Sequence, residues 1–390
     1  MKDMDDCGRD TIMKDGQKTA IGVAAAAVGI SAAAAIAVAR AGRDKALRQV
    51  ATFDHQVTGV TVSEDGRIFV NFPRWTEDAP VSVAEVLKDG TLKPYPDEAW
   101  NSWRNEKQAE MSVERHFVCV QSVVADGRGS LWVLDPAAPG NEKILEGGPK
   151  LVQVDLATNS VKRVIPVAGD VALQGTYLND VRFSPDGNTA YITDSGTRGA
   201  IIVIDLVSGE GFRALDGHKS TQVEPGVVVT VDGHPLRRPD KRQPAFAADG
   251  IALSRDGETL YWQALTGKTL YKVPTEKLTR KTDPAEIEKA VEEVGTTHVA
   301  DGLWISRTGV LHITSPTDNA VTRWSGKGTE PVVQDKRLRW PDTMSEGPDG
   351  TLYVTASHIQ DTSWFKPLAP PAIKTALFAF TPEDGGVQLA

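Results

Sequence analysis

The sequence predicts an all-β protein: a six-bladed β-propeller of four-stranded antiparallel blades, preceded by an N-terminal apolar export or anchor helix. Three observations carry this. One hairpin pattern recurs six times, successive copies start roughly 40 to 70 residues apart, and an uncharged alanine-rich run precedes them all. A repeat of that span suits a four-stranded blade, and radial repetition protects the sheet edges of an all-β chain. A β-sandwich would not repeat one hairpin six times.

At the N-terminus, the twenty residues from Ala20 to Ala39 carry no charge and lie between Lys14 and Lys18 on one side and Arg40 and Arg43 on the other. Residues 1–42 are therefore expected to be a signal peptide or a single membrane anchor. The alanine content favours cleavage, with Ala37-Val38-Ala39 or Ala39-Arg40-Ala41 as the site. The acidic residues before Met13 suit a signal poorly, which points to Met13 as an alternative start. Of the two cysteines, Cys7 falls in this segment, and Cys119 sits in the apolar run HFVCVQSVV as a small buried hydrophobe.

Residues 50–390 are expected to form the propeller as one domain. The hairpin copies are TGVTVSEDGRIFVNF from 58, QSVVADGRGSLWVLD from 121, NDVRFSPDGNTAYITDS from 179, DGIALSRDGETLYWQAL from 249, DGLWISRTGVLHITSP from 301 and PDTMSEGPDGTLYVTAS from 341. Each has a polar or small start, an apolar strand, a turn ending in glycine and a second strand rich in β-branched or aromatic residues. Further strands follow each copy as outer hairpins. Two insertions interrupt the rhythm: a small hairpin within 219–247, and the segment DPAEIEKAVEEV (283–294), expected to be an amphipathic helix. Both are expected on one rim.

A formal net charge of −9 without a concentrated basic face excludes a nucleic-acid partner. No G-x-S-x-G, Walker loop or H-E-x-x-H supports serine-hydrolase, nucleotide or zinc-protease chemistry. His116, His298, His312 and His358 are scattered, without metal-ligand spacing. What remains is polar. Within a hairpin, the first strand starts and the second ends at the same edge. Gln121, Asn179, Asp180, Asp249, Asp301 and Asp342 at strand starts, with Asn71, Asp135, Asp194, Gln263, Ser315 and His358 at strand ends, should therefore ring one mouth of the central channel. Carboxylates and amides are the oxygen donors that calcium or magnesium takes, and crowded carboxylates gain the raised pKa of a general base. The same Asp-Gly and Asn-Asp pairs also serve as turn formers. Trp75, Trp100, Trp103, Trp324 and Trp340 fall at loops or strand ends, where they either pack between blades or line a mouth for a planar or amine ligand.

The segments IFVNFPRW, FVCVQSVVADGRGSLWVLD, YLNDVRFSPDGNTAYITDSG, ADGIALSRDGETLYWQALTG, DNAVTRW and RWPDTMSEGPDGTLYVTAS resemble, in order, the bacterial branch of the major royal jelly protein and Yellow family. That resemblance implies an exported six-bladed propeller, binding of small amines or sterols, and a dopachrome tautomerase-like activity. The chain also resembles, more distantly, the gluconolactonase and regucalcin-type propellers, which implies a divalent metal at the channel mouth. Asn179 and Asp301 match two of that metal's ligands, Asp249 replaces an Asn, and Thr58-Gly59-Val60 offers no Glu where the first blade should supply one.

Two readings follow. One is an exported propeller that binds a small molecule through Gln121, Asn179, Asp249, Asp342 and Asn319. The other is an enzyme: a lactonase whose calcium or magnesium is held by Asn179, Asp249 and Asp301, with Asp301 activating water, or a tautomerase in which Asp180 or His358 moves a proton. The expected location is secreted, periplasmic or cell-envelope, with membrane contact only through an uncleaved N-terminal segment.

Overall fold

The computed structural model describes residues 47–383 and 387–389; the expected export segment lies outside them. Six four-stranded antiparallel sheets form the blades of a propeller. From axis to rim, blade one is Val60–Val62, Ile68–Asn71, Val83–Val86 and Leu92–Pro94. Blade two is Ser122–Ala125, Ser130–Asp135, Lys150–Asp155 and Ser160–Pro166. Blade three is Leu178–Phe183, Thr189–Asp194, Ala200–Asp205 and Gly211–Ala214, and blade four is Ala248–Leu253, Thr259–Ala264, Thr269–Pro274 and Glu292–Thr296. Blade five is Leu303–Ile305, Leu311–Ser315, Ala320–Trp324 and Thr329–Gln334.

Blade six closes the ring. Its inner strands Pro341–Glu346, Leu352–Ala356 and Thr375–Phe380 come from the end of the chain, and its outermost strand, Arg48–Phe53, comes from the beginning. Thr52 pairs with Ala376 and Phe53 with Thr375. The repeat left this strand unassigned, because closure pairs segments at opposite ends of the sequence.

Each inner hairpin turns where the repeat places its glycine. In blade three Ser184 Oγ bonds Asp186 and accepts from Thr189 N, while Gly187 takes φ 72°, a conformation that needs no Cβ. The same Ser-x-Asp clip recurs at Ser63/Asp65 and Ser254/Asp256. Cores lie between blades: Trp132, Leu134 and Leu151 of blade two pack against Leu178, Val181 and Ile192 of blade three. Each such side chain contributes about 1.5–3 kcal/mol by leaving water.

Strand direction fixes the two faces. The links from second to third strand, and from outermost strand to the next blade, lie at one face; turns within the inner hairpin and third-to-fourth links lie at the other. The two insertions therefore separate, correcting the expectation of a shared rim. The 219–247 segment, with Thr230–Val231 paired to His234–Pro235, joins blade three to blade four at the first face. The helix Pro284–Lys289, capped by Asp283, joins third and fourth strands at the opposite face. It is also shorter than expected, since Glu292–Thr296 is the outer strand of blade four.

Candidate functional site

At the first face, one position near the start of each inner strand recurs in every blade: Thr58, Gln121, Asn179, Asp249, Asp301 and Asp342. The residue after it packs on the neighbouring blade. A Cβ at Gly250 would stand 2.3 Å from the carbonyl oxygen of Asp301, and one at Gly302 2.2 Å from that of Asp342. The Asp-Gly pairs are therefore close-approach sites between blades rather than turns, and they hold successive aspartates side by side.

Four of these side chains lie in two runs of hydrogen bonds that converge. Trp75 Nε1 donates to the Tyr177 hydroxyl (2.7 Å), which donates to Gln121 Oε1 (3.1 Å). Gln121 Nε2 then donates to Asn179 Oδ1 (2.9 Å), and Asn179 Nδ2 to Asp249 Oδ1 (2.7 Å). From the other side Trp340 Nε1 donates to Asp301 Oδ2 at 2.6 Å. Both ends are indoles, which can only donate, so every bond points toward Asp249 and Asp301. The Asp249 and Asp301 carboxyls stand within reach of each other, and a hydrogen bond between them would need a proton.

Burial, reinforced by the charges of Asp301, Asp180 and Asp342, holds the Asp249 carboxyl well above the usual carboxylate range. Burial raises Asp301 to about 7, with the Trp340 hydrogen bond opposing it. Asp342 is likewise held well up by burial and by Asp301 and Asp180. Asp249, held above its usual range, therefore keeps a proton to higher pH than an ordinary carboxyl, beside an Asp301 that gains and loses one around neutrality. Two carboxyls with raised affinity for protons, set side by side, are the kind of groups that can donate and accept one.

Above the carboxyls opens a cavity of about 250 Å³ with Gln121, Asn179, Asp249, Asp301 and Asp342 among its lining residues. Its walls come from the links of the same face, chiefly Trp75, Tyr177, Phe246, Trp340, Ile359 and Trp364, with Arg238 and Glu142 also on the lining. The Trp75 and Trp364 rings lie 4.9 Å apart at 34°. An acidic floor beneath aromatic walls suits a ring-bearing cation.

The family model described as Major royal jelly protein matches residues 118–363, from the loop before blade two into blade six. The chain belongs to the major royal jelly protein family. Among its relatives, Major royal jelly protein 1 of Apis mellifera is 26% identical over 309 residues, covering 75% of this chain and 65% of the relative. Major royal jelly protein 5 of the same organism is 25% identical over 279 residues, covering 67% and 43% respectively. The chain thus spans less than two thirds of the length of these relatives. Among solved structures, a luciferin-regenerating enzyme superposes with a TM-score of 0.53 at 10% identity, covering 88% of this chain and 97% of that one. A gluconolactonase from Xanthomonas campestris gives 0.50 at 13%, covering 86% and 89%, and a calcium-binding protein, regucalcin, from Agrobacterium tumefaciens gives 0.51 at 15%, covering 88% and 96%. These share the fold.

In this royal jelly-type propeller the expected residues divide. Asp180 lies outside the cavity, one residue farther along its strand than Asn179, buried and 3.9 Å from the Arg182 guanidinium. His358 takes φ 53° and sets its Nδ1 3.4 Å from Asp361, away from the cavity; Ser357 follows the end of that blade's second strand instead. Asn319, at φ 50° between the second and third strands of blade five, is not among the lining residues either. The strand-end set does not ring the mouth: Asp135 and Asp194 are used within their own blades, and Asn71 donates to the carbonyls of Val120 and Gln121 at the start of the next. Asp135 accepts from Val118 N, Cys119 N, Ala137 N and Lys150 Nζ; Asp194 accepts from Tyr177 N, Gly196 N and Arg213. Asn71, Gln263 and Ser315 are likewise fully buried. Cys119 is buried, its thiol pushed up to about 12 chiefly by burial.

The donor set does not fit calcium or magnesium, which take six or more oxygens. The oxygen of Asn179 already accepts from Gln121, Asp249 Oδ1 accepts from Asn179, and Thr58 Oγ1 accepts from Asn71. Among the described residues no three His, Cys, Asp or Glu side chains are grouped to hold a metal ion. Of the tryptophans singled out in the sequence, Trp75 and Trp340 reach the cavity, while Trp103 and Trp324 are buried elsewhere. Tyr177, Arg238, Phe246 and Trp364 complete it from segments outside the repeat; only Tyr177, two residues before Asn179, stood close to a motif.

Proposed function

We propose that this chain binds a small aromatic amine in the cup at the channel mouth, as an exported Yellow-type propeller. The observation that carries the proposal is the side-by-side placement of the Asp249 and Asp301 carboxyls on the lining of an aromatic-walled cavity. An ammonium group settling on the pair meets the charge that Asp301 carries once it has lost its proton, while the ring stacks among Trp75, Trp364 and Trp340. Export rests on the charge-flanked apolar run at Ala20 to Ala39. Calorimetry with tryptamine tests the binding: micromolar to millimolar heats that vanish in Asp249→Asn/Asp301→Asn, with circular dichroism unchanged, are expected. Absence of binding to the unaltered protein refutes it.

The same pair favours a second reading, a tautomerase of the dopachrome type. Asp301 as carboxylate takes a proton from a carbon next to an imine or quinone, and Asp249 as acid returns one elsewhere on the same molecule, so no net proton is gained or lost. Asp249→Asn should then abolish turnover while leaving amine binding measurable. A metal-dependent lactonase has the positions of Asn179, Asp249 and Asp301 in its favour and the Asn179–Asp249 hydrogen bond against it. Calcium, magnesium and manganese are expected to give no binding heats and no lactone turnover; stoichiometric metal binding would restore that alternative.

A further inference from the structure

We propose that Arg238 makes the cavity selective for zwitterionic ligands: ring-bearing molecules with an ammonium group at one end and a carboxylate at the other. This rests on the reading that the acidic floor takes an amine, and it adds a second recognition element from a segment outside the six repeats.

The insertion between blades three and four is anchored over the cavity. Val229, Val231 and Leu236 are buried against Trp340, Ile359 and Phe365. Arg339 donates to Asp232 at the tip of the small hairpin (2.9 and 2.7 Å) and also to Asp361 of blade six. Two residues beyond Leu236 the chain brings Arg238 to the cavity lining. Its guanidinium carbon lies 5.9 Å from the centre of the Trp364 ring, which supports it on one face.

Among the described residues, no acceptor bonds that guanidinium. The neighbouring acids are committed elsewhere: Asp232 and Asp361 to Arg339, Asp240 to Arg242. Glu142, also on the lining, is exposed and makes no ion pair with Arg238. Other arginines on this face are spent on protein acceptors. Arg74 bonds the backbone of Ala79, Phe117 and Val118, and Arg213 bonds Asp194, Asp216 and two carbonyls. Arg238 alone among these offers a free fork toward the cavity, and a planar fork of N–H donors matches a carboxylate. With carboxyls on the floor and a guanidinium on the wall, the two charges of a zwitterion each meet their opposite. A simple cation leaves Arg238 unmatched.

The experiment compares three probes on the purified protein by calorimetry: tryptamine, tryptamine bearing a carboxylate on its ring, and indole-5-carboxylate. The carboxylated amine is expected to bind about tenfold or more tighter than tryptamine, the order of one charge-assisted pair, with indole-5-carboxylate weakest. In Arg238→Gln the preference should disappear, the carboxylated amine binding no tighter than tryptamine does to the same variant, and Arg238→Lys should keep part of it. Equal or weaker binding of the carboxylated amine, or a preference that survives Arg238→Gln, overturns the proposal while leaving the amine reading intact. No binding of either amine overturns both.

Discussion

Trp340→Phe removes the stronger of the two contacts, with Trp340 and with Asp249, that oppose protonation of Asp301. The substitution keeps an aromatic ring among Leu265, Val299 and Ile359 but removes the indole N–H that reaches Asp301 Oδ2 at 2.6 Å. A hydrogen bond to a charged group contributes about 1.5–3 kcal/mol, and about 1.4 kcal/mol corresponds to one pH unit. The midpoint, which belongs to the Asp249–Asp301 pair, should therefore move up by about one to two pH units. In the unaltered protein Asp301 titrates near about 7, so affinity for an ammonium ligand should rise with pH through neutrality and then level off. In Trp340→Phe the same curve is displaced upward: tryptamine binds roughly five- to fiftyfold more weakly at pH 7 and within about twofold of the parent near pH 9. Calorimetry from pH 5.5 to 9.5, with proton release read from buffers of different ionisation heat, measures both. A pH-independent affinity in the unaltered protein, or an unmoved midpoint in the variant, refutes the assignment of the titrating proton.

Other consequences concern stability. Asp301 binds its proton more tightly folded than unfolded, so its contribution is fully present below the ordinary carboxylate range and is lost as pH rises toward about 7. Urea midpoints should fall between pH 4 and pH 8, and Asp301→Asn should flatten that slope; an identical slope in the variant contradicts the burial argument. Gly302→Ala places a Cβ 2.2 Å from the Asp342 carbonyl oxygen and should cost about 1–3 kcal/mol, whereas Gly328→Ala meets nothing within 4 Å and should be near neutral by thermal melts. Phe53→Ala removes a buried ring that meets Phe72 edge-on at 5.4 Å in the closing strand, and should cost about 3–5 kcal/mol in denaturant unfolding. A change below about 1 kcal/mol would mean that the Arg48–Phe53 strand does not hold the ring closed.

How far the sequence discloses this molecule depends on whether a feature repeats. The inner hairpins are legible because each must alternate buried and turn-forming residues in the same order, and that order also placed Gln121, Asn179, Asp249, Asp301 and Asp342 around one opening. Asp135 and Asp194 obey the same repeat yet turn into their own blades, because the loop N–H groups beside them need acceptors. Strand position alone does not distinguish the two orientations. Closure by Arg48–Phe53 is a pairing across the whole chain, invisible to local pattern. In the 283–294 segment, Glu292–Thr296 is the outermost strand of blade four, exposed along much of its length, so its apolar spacing mimics a helix face. The cavity walls, Tyr177, Arg238, Phe246 and Trp364, come from links whose sequences share nothing with one another.

Below the carboxyls, Arg182 reaches from blade three to the carbonyl of Leu303 in blade five at 2.9 Å, its guanidinium 5.8 Å from the Trp304 ring. A bar laid across the hub in this way ties together two blades that are not neighbours, and braces from beneath the strands that carry Asn179 and Asp301.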